Sequence, residues 1–467
     1  MDKPVFLNLA SLRWGQVPRI LLGAALLLGG LVPPAAVSAQ SEPPPKTPIQ
    51  HFIVLMQENH TYDNYFGTYP GADGIPPGTK MPVDPNNPAL GYVEPFPIRN
   101  YPIVDLSHSA DTFDLQYNQG RMDGFVSALN LRKQPGKLAM GYYDGQELPY
   151  YWNLADEYVL FDRFFSSARN GSFANHFFWV AAVPPLTDNA RLTAGGYPNT
   201  PTIFDRLQEK GISWKFYVQN YDPTITYRDM SKGGNRASQV IWVPLLNIDR
   251  FLDDPELASH IVDLSEYYTD LKNGTLPSVA YIAPSGASEH PPGSLESGQR
   301  FVKTLIQELM RSVHWDSSAF LLIYDDWGGW YDHVTPPQVD PYGFGFRVPG
   351  LLVSPYARKG YVDNTELDFT SVMKFIEENW DIAPLAERDA QANNFLSAFD
   401  FDQPPREPVF ISSVRSDDVA AKKVPVQYIY LAYGIALSMA IFFVSFAVIR
   451  PWISRWRNRA EGEGTIR

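Results

Sequence analysis

The chain has no cysteine among its 467 residues. That absence excludes disulfides, thiolate-bound metals and a cysteine nucleophile, so any metal must sit on oxygen or imidazole ligands. Basic residues are also in deficit: 38 Lys and Arg stand against 51 Asp and Glu, for a formal charge of -13. Both ends are basic, so the region between them is more acidic than the whole. Such a surface is a poor non-specific binder of nucleic acid, and none is expected as a partner. No internal repeat is present. The rest is ordinary for a packed protein: 45% hydrophobic and 14% aromatic residues exclude a disordered chain.

The two ends read as membrane-directed. Lys3, Arg13 and Arg19 accompany an apolar run at 20–32, and Val37, Ser38 and Ala39 supply small residues after it. This pattern predicts a signal peptide over 1–39. The run 426–449 is uncharged, mostly apolar and long enough for a transmembrane helix. Arg450, Arg455, Arg457 and Arg459 follow it, which predicts a cytoplasmic tail over 450–467 and a domain on the other side. The expected location is the cell membrane, single-pass, with the catalytic domain extracytoplasmic. Proline-rich 40–48 reads as an extended spacer, 49–405 as the globular domain and 406–425 as a stalk.

Within 49–405, short apolar runs alternate with helical patterns. FIVLM at 52–56, VAYI at 279–282, FLLIY at 320–324 and LLV at 351–353 read as buried strands. Phe301, Leu305, Leu309 and Val313 recur every four residues, as on a helix, and 370–380 reads as another. Apolar strands separated by helices predict an α/β fold with a central, mainly parallel sheet covered on both faces. Sites in such sheets lie beyond the carboxyl ends of strands. Gln57-Glu58-Asn59 follows one strand, Asp325-Asp326 another and, after a short loop, Glu289-His290 a third. Glu58, Asn59, Asp325 and Asp326 would together suit a hard cation, although a carboxylate closing a strand is usually a solvated turn residue.

Asn170-Gly171-Ser172 is turn chemistry ahead of an apolar stretch at 173–182, so Ser172 sits at a helix N-terminus. Two readings stay open there: a plain N-cap, which the spacing favours, or a nucleophile whose phosphorylated form is held by free amides. His108, His290 and His333 lie in polar loops and are candidates for donating a proton to a leaving group or binding phosphoryl oxygens. His51, His60, His176, His260 and His314 read as structural.

QENHTYDNYFG (57–67) resembles the ENxSFDxxFG signature of the phosphoesterase family that holds bacterial non-specific phospholipases C and acid phosphatases. EHPP (289–292), IYDDWGGWYDHV (323–334) and the block from RVPGLLV to EENW (347–380) resemble later parts of that family, in the same order. The family belongs with the alkaline-phosphatase-like hydrolases. The resemblance implies a three-layer α/β/α sandwich. It implies a divalent metal (Ca, Mg, Mn or Zn) held by Glu58, Asn59, Asp325 and Asp326. It implies a hydroxyl nucleophile in the block that here reads Asn170-Gly171-Ser172, and phosphate-contacting histidines at His108, His290 and His333. Asn59 would also help to stabilise the phosphoryl oxygens. Thr61, two residues after Asn59, is the alternative nucleophile. No proline precedes Ser172, and Asp326 stands where many members have glutamate.

The implied activity is hydrolysis of phosphoric esters through a phosphoserine. The substrate is a phosphorylated small molecule or a phospholipid. Asp325-Asp326 resembles the acid-phosphatase branch, which puts phosphomonoesters ahead. A sulfatase reading lacks its Cys/Ser-x-Pro-x-Arg motif. A non-catalytic surface receptor or adhesin that kept the fold is the reading from another class.

Overall fold

The computed structural model describes residues 42–99, 104–183, 195–231, 234 and 238–415, and in the C-terminal stretch 430, 433–435, 437–441, 443, 445–446 and 450. The expected signal peptide over 1–39 lies outside the described residues.

Eight strands make the main sheet: β1 (His51–Gln57), β2 (Val159–Phe161), β3 (Trp214–Val218), β4 (Ile261–Asp263), β5 (Val279–Ala283), β6 (Ser318–Tyr324), β7 (Gly350–Val353) and β8 (Tyr361–Asp363). Their order across the sheet is β8-β2-β7-β6-β1-β5-β3-β4. Every pairing is parallel except the two made by β7, so the sheet is mixed. The chain is thus an α/β protein, as its strand pattern predicts. β1 and β6 form the centre. From Phe52 to Gln57 and from Ser318 to Tyr324 every residue is buried. Successive side chains of a strand point to opposite faces, so an unbroken buried run requires cover on both.

Helices supply that cover. Leu295–Arg311 buries Phe301, Val302, Leu305, Ile306 and Leu309 along one stripe, and Ser294 caps it by accepting from the Ser297 amide. It stops two residues before Val313, where the four-residue periodicity ends. Ser312 donates back to the Leu309 carbonyl, and Val313 is 82% exposed. Phe369–Trp380 starts at Asp368, whose side chain accepts from the Thr370 amide. It packs on the helix Ser172–Ala181. Residues 406–415 run along the domain rather than away from it: Trp315 Nε1 donates to the Arg406 carbonyl, Arg406 pairs with Glu157 at 2.7 Å, and Arg415 with Asp156 at 2.9 Å.

One expectation is corrected. A membrane span needs about 20 consecutive apolar helical residues. Among the described residues no helix is long and apolar enough to cross a membrane. The described positions of 426–449 are helical only in shorter pieces, and the rest of that run lies outside the described residues. The transmembrane helix, the membrane contact through it and the single-pass membrane location are therefore not supported.

Candidate active site

The register of the central pair builds the site. Gln57 is the partner of Tyr324 at the carboxyl ends of β1 and β6. The next residues, Glu58 and Asp325, therefore emerge side by side, with Asn59 and Asp326 one step further. The loops are tied at once: Asp325 Oδ1 accepts from the amides of Asn59 at 2.9 Å and Asp326 at 2.7 Å. Asn59 takes a positive φ of 63° to make this turn. Asp326 Oδ1 accepts from the Gly328 amide at 2.8 Å. All four side chains are buried.

The helix Ser172–Ala181 enters the same space. Its N-cap is Gly171, and no side chain caps it, so Ser172 is not the capping residue that its spacing allows. Ser172 Oγ instead lies 3.2 Å from Asp326 Oδ2 and 3.4 Å from Glu58 Oε2. The hydroxyl thus stands between two carboxyl groups. One turn along the helix, His176 Nε2 lies 2.9 Å from Glu58 Oε1 and 3.7 Å from Asp325 Oδ2. His176 reads as structural in the sequence. Its i,i+4 spacing from Ser172 is the signal that puts both on one helix face.

This donor set fits a divalent cation. Single ligand atoms of Glu58, His176 and Asp325 lie within 4.8 Å of one another, and all three residues are buried. Asp325 Oδ2 and Asn59 Oδ1 are buried without a hydrogen-bond partner. Burial, then the charges of Asp325 and Asp326, push the Glu58 carboxyl well above the usual range. Burial and Asp325 likewise push Asp326 up. Carboxylates crowded this way, with oxygens left unbonded, are what a cation would satisfy.

Two of the three candidate histidines join the site. A cavity of about 680 Å³ is lined by Glu58, Ser172, His108 and His290, with apolar lining from Phe173, Ile241 and Trp242 and with Asp111 and Arg132 among its more exposed members. His108 Nδ1 donates to the Leu106 carbonyl at 2.7 Å, and His290 Nδ1 to the Pro291 carbonyl at 2.8 Å. These bonds leave Nε2 of each ring as the nitrogen that can exchange a proton. Asn59 Nδ2 lies 3.3 Å from His108 Nε2. His333 is held elsewhere, by Asp63 at 2.8 Å and Asp73 at 3.3 Å, and does not line the cavity. Thr61 is committed as an N-cap: its hydroxyl accepts from the Asn64 amide and donates to the Tyr331 carbonyl at 2.7 Å. Another cavity, of about 630 Å³, lies around Asp340, Asp368 and Arg388. Its arginine is already paired with both aspartates.

The model of the Phosphoesterase family matches residues 49–383. Phospholipase C B of Mycobacterium tuberculosis is 27% identical over 447 residues, covering 82% of this chain and 84% of that protein. Non-specific phospholipase C1 of Arabidopsis thaliana is 26% identical over 413 residues, covering 77% and 72%. Among solved structures, a protein in the alkaline phosphatase superfamily from Vibrio parahaemolyticus overlaps 72% of this chain and 68% of its own, with a TM-score of 0.34 and 13% identity. The chain belongs to the Phosphoesterase family and hydrolyses phosphoric ester bonds.

Proposed function

We propose that this enzyme cleaves phosphodiesters in the manner of a phospholipase C, releasing an apolar alcohol and passing through a phosphoserine at Ser172. The observation that carries the reading is the meeting of Ser172 Oγ with the Glu58 and Asp326 carboxylates in a cavity that also presents Phe173, Ile241 and Trp242. The carboxylates would hold the cation that a phosphate meets, and apolar surface lies beside them. The relatives named as phospholipases C support the same choice. They move the preference away from the phosphomonoester that Asp325-Asp326 suggests.

Glu58, Asn59, Asp325 and Asp326 would hold the divalent cation, with His176 against Glu58. When bound, it supplies charge stabilisation at the phosphoryl oxygens and favours an ionised nucleophile. Ser172 Oγ, 3.2 Å from Asp326 Oδ2, passes its proton to that carboxylate and attacks phosphorus. The P–O bond to the alcohol breaks, and the imidazolium form of His290 protonates the leaving oxygen from Nε2. The phosphoryl group stays on Ser172, at the start of a helix with free amides. Asn59 Nδ2 and His108 are placed to contact its oxygens. Neutral His290 then takes a proton from water as its oxygen attacks phosphorus; the P–O bond to Ser172 breaks, and Asp326 returns the proton to Oγ.

The test is a substrate panel on the purified enzyme: phosphatidylcholine vesicles, p-nitrophenyl phosphorylcholine, p-nitrophenyl phosphate and nucleotides. Diacylglycerol release that outpaces phosphate release from the monoesters supports the proposal. The opposite order restores the monoesterase reading.

A further inference from the structure

Away from the cavity lies a knot of charge that the reaction does not use. Arg347 is fully buried. Its Nε donates to Asp332 Oδ1 at 2.9 Å and its Nη2 to Asp63 Oδ1 at 3.1 Å. Nη1 donates to the carbonyls of Asp73 at 2.9 Å and Asp162 at 2.7 Å. The guanidinium carbon sits 4.5 Å from the centre of the Tyr62 ring. His333 closes the knot: its amide and its Nδ1 both lie 2.8 Å from Asp63 Oδ2. Asp63, Asp332 and His333 have the spacing of a metal site. Arg347 already supplies the cation there.

The placement of these residues gives the knot a purpose. Asp63 lies at the far end of the segment that carries Glu58 and Asn59. Asp332 and His333 lie at the far end of the segment that carries Asp325 and Asp326. Between those ends the two segments are laced together. Asp325 Oδ1 accepts from the Asn59 amide, and Thr61 Oγ1 donates to the Tyr331 carbonyl. Gly328 has a φ of +58° and approaches so closely that a Cβ would stand 2.1 Å from the Asn59 carbonyl oxygen. Crowded carboxylates repel one another, so a site made of them must be held together from outside. One planar, five-donor group reaching both segments can do this; a point charge cannot.

We propose that Arg347, with Asp63, Asp332 and His333, is a positioning clamp that sets the affinity of the Glu58, Asn59, Asp325 and Asp326 site for its cation. The inference rests on the metal-dependent reading of that site. His333, which the family resemblance would put on the phosphate, belongs to this clamp.

The experiment is calorimetric titration of Mn²⁺ into the chelator-stripped full chain, comparing wild type with His333→Ala and Arg347→Lys. The His333 change leaves both Arg347–aspartate pairs in place. The Arg347 change keeps the charge but cannot bond Asp63 and Asp332 together. Expected is a Kd weakened about 10–100-fold, the usual cost of losing support behind a metal ligand. At saturating Mn²⁺, kcat for p-nitrophenyl phosphorylcholine should return close to the wild-type value. If Arg347→Lys does not fold, Asp332→Asn replaces it. Unchanged Mn²⁺ affinity in folded His333→Ala overturns the clamp. So does a kcat that stays low at saturating Mn²⁺ with affinity unchanged, because His333 would then touch substrate. A wild-type chain that binds no Mn²⁺, Ca²⁺, Mg²⁺ or Zn²⁺ removes the cation reading, and the clamp with it.

Discussion

Glu58→Gln should make the chelated protein more stable while destroying its response to metal. Ligand atoms of Glu58 and Asp325 lie within 4.8 Å in a buried site. Two unit charges at that distance, at an effective dielectric of about 20, repel by about 3 kcal/mol. Burial, then Asp325 and Asp326, already push the Glu58 carboxyl well above its usual range, so protonation relieves part of this. Glutamine removes the charge and keeps an oxygen for His176, 2.9 Å from Glu58 Oε1 in the wild type. The expected gain in EDTA is about 1–3 kcal/mol. Its sign against pH follows from linkage. A folded-state pKa above the unfolded value means that the wild type loses stability as pH rises, so the variant's advantage should grow with pH. With cation at about 1,000 times its Kd, the wild type alone gains about 4.1 kcal/mol, and the order inverts. Urea unfolding with and without EDTA reads both states. A variant less stable than wild type in EDTA would make Glu58 a structural acceptor rather than a ligand.

Two further outcomes follow from the hydrogen bonds. The Leu276 amide donates to His314 Nε2, so His314 Nδ1 donates to His51 Nε2 at 2.9 Å, and His51 Nδ1 donates to the Pro277 carbonyl at 3.0 Å. Both rings are neutral in this chain, and burial, then His51, hold His314 at about 4. Its stabilisation is present above the unfolded value of about 6.5 and is lost as pH falls toward 4. His314→Asn should flatten the urea midpoint over that window, and an unchanged slope would count against the pair. Gly298→Ala would put a Cβ 2.1 Å from Glu289 Oε1. That carboxylate accepts from Tyr65, Tyr151 and Tyr324 and cannot swing away. The change should cost about 1–3 kcal/mol and lower turnover through the neighbouring His290; wild-type stability and kcat would contradict it.

Much of the architecture was legible because the central strands are almost wholly apolar, and the residues proposed to hold the cation follow directly after them. Glu58 and Asp325 could be paired from sequence only as strand-end residues. Their adjacency needed the β1–β6 register. The short strands β2, β4 and β8 carry too few residues for a pattern, and nothing in LLV marks β7 as antiparallel. Val313 continued the helical period by chance after Ser312 had ended the helix. His176 and Arg347 stayed hidden because each acts through partners distant in sequence. His333 sits in a loop as polar as those of His108 and His290. Only the fold separates it from them.

Ser172→Ala decides whether Ser172 is the nucleophile. A hydroxyl that attacks phosphorus works only in the reaction, so its loss should lower kcat by orders of magnitude while leaving stability and Mn²⁺ affinity near wild type. Ser172 is not the helix cap, so no capping loss of about 1 kcal/mol is expected. The measurement is acid-quenched turnover of a phosphorus-labelled p-nitrophenyl phosphorylcholine by both proteins. Label is expected on Ser172 of the wild type and none on the variant. Near-normal turnover by the variant, or wild-type label on another residue, would contradict it.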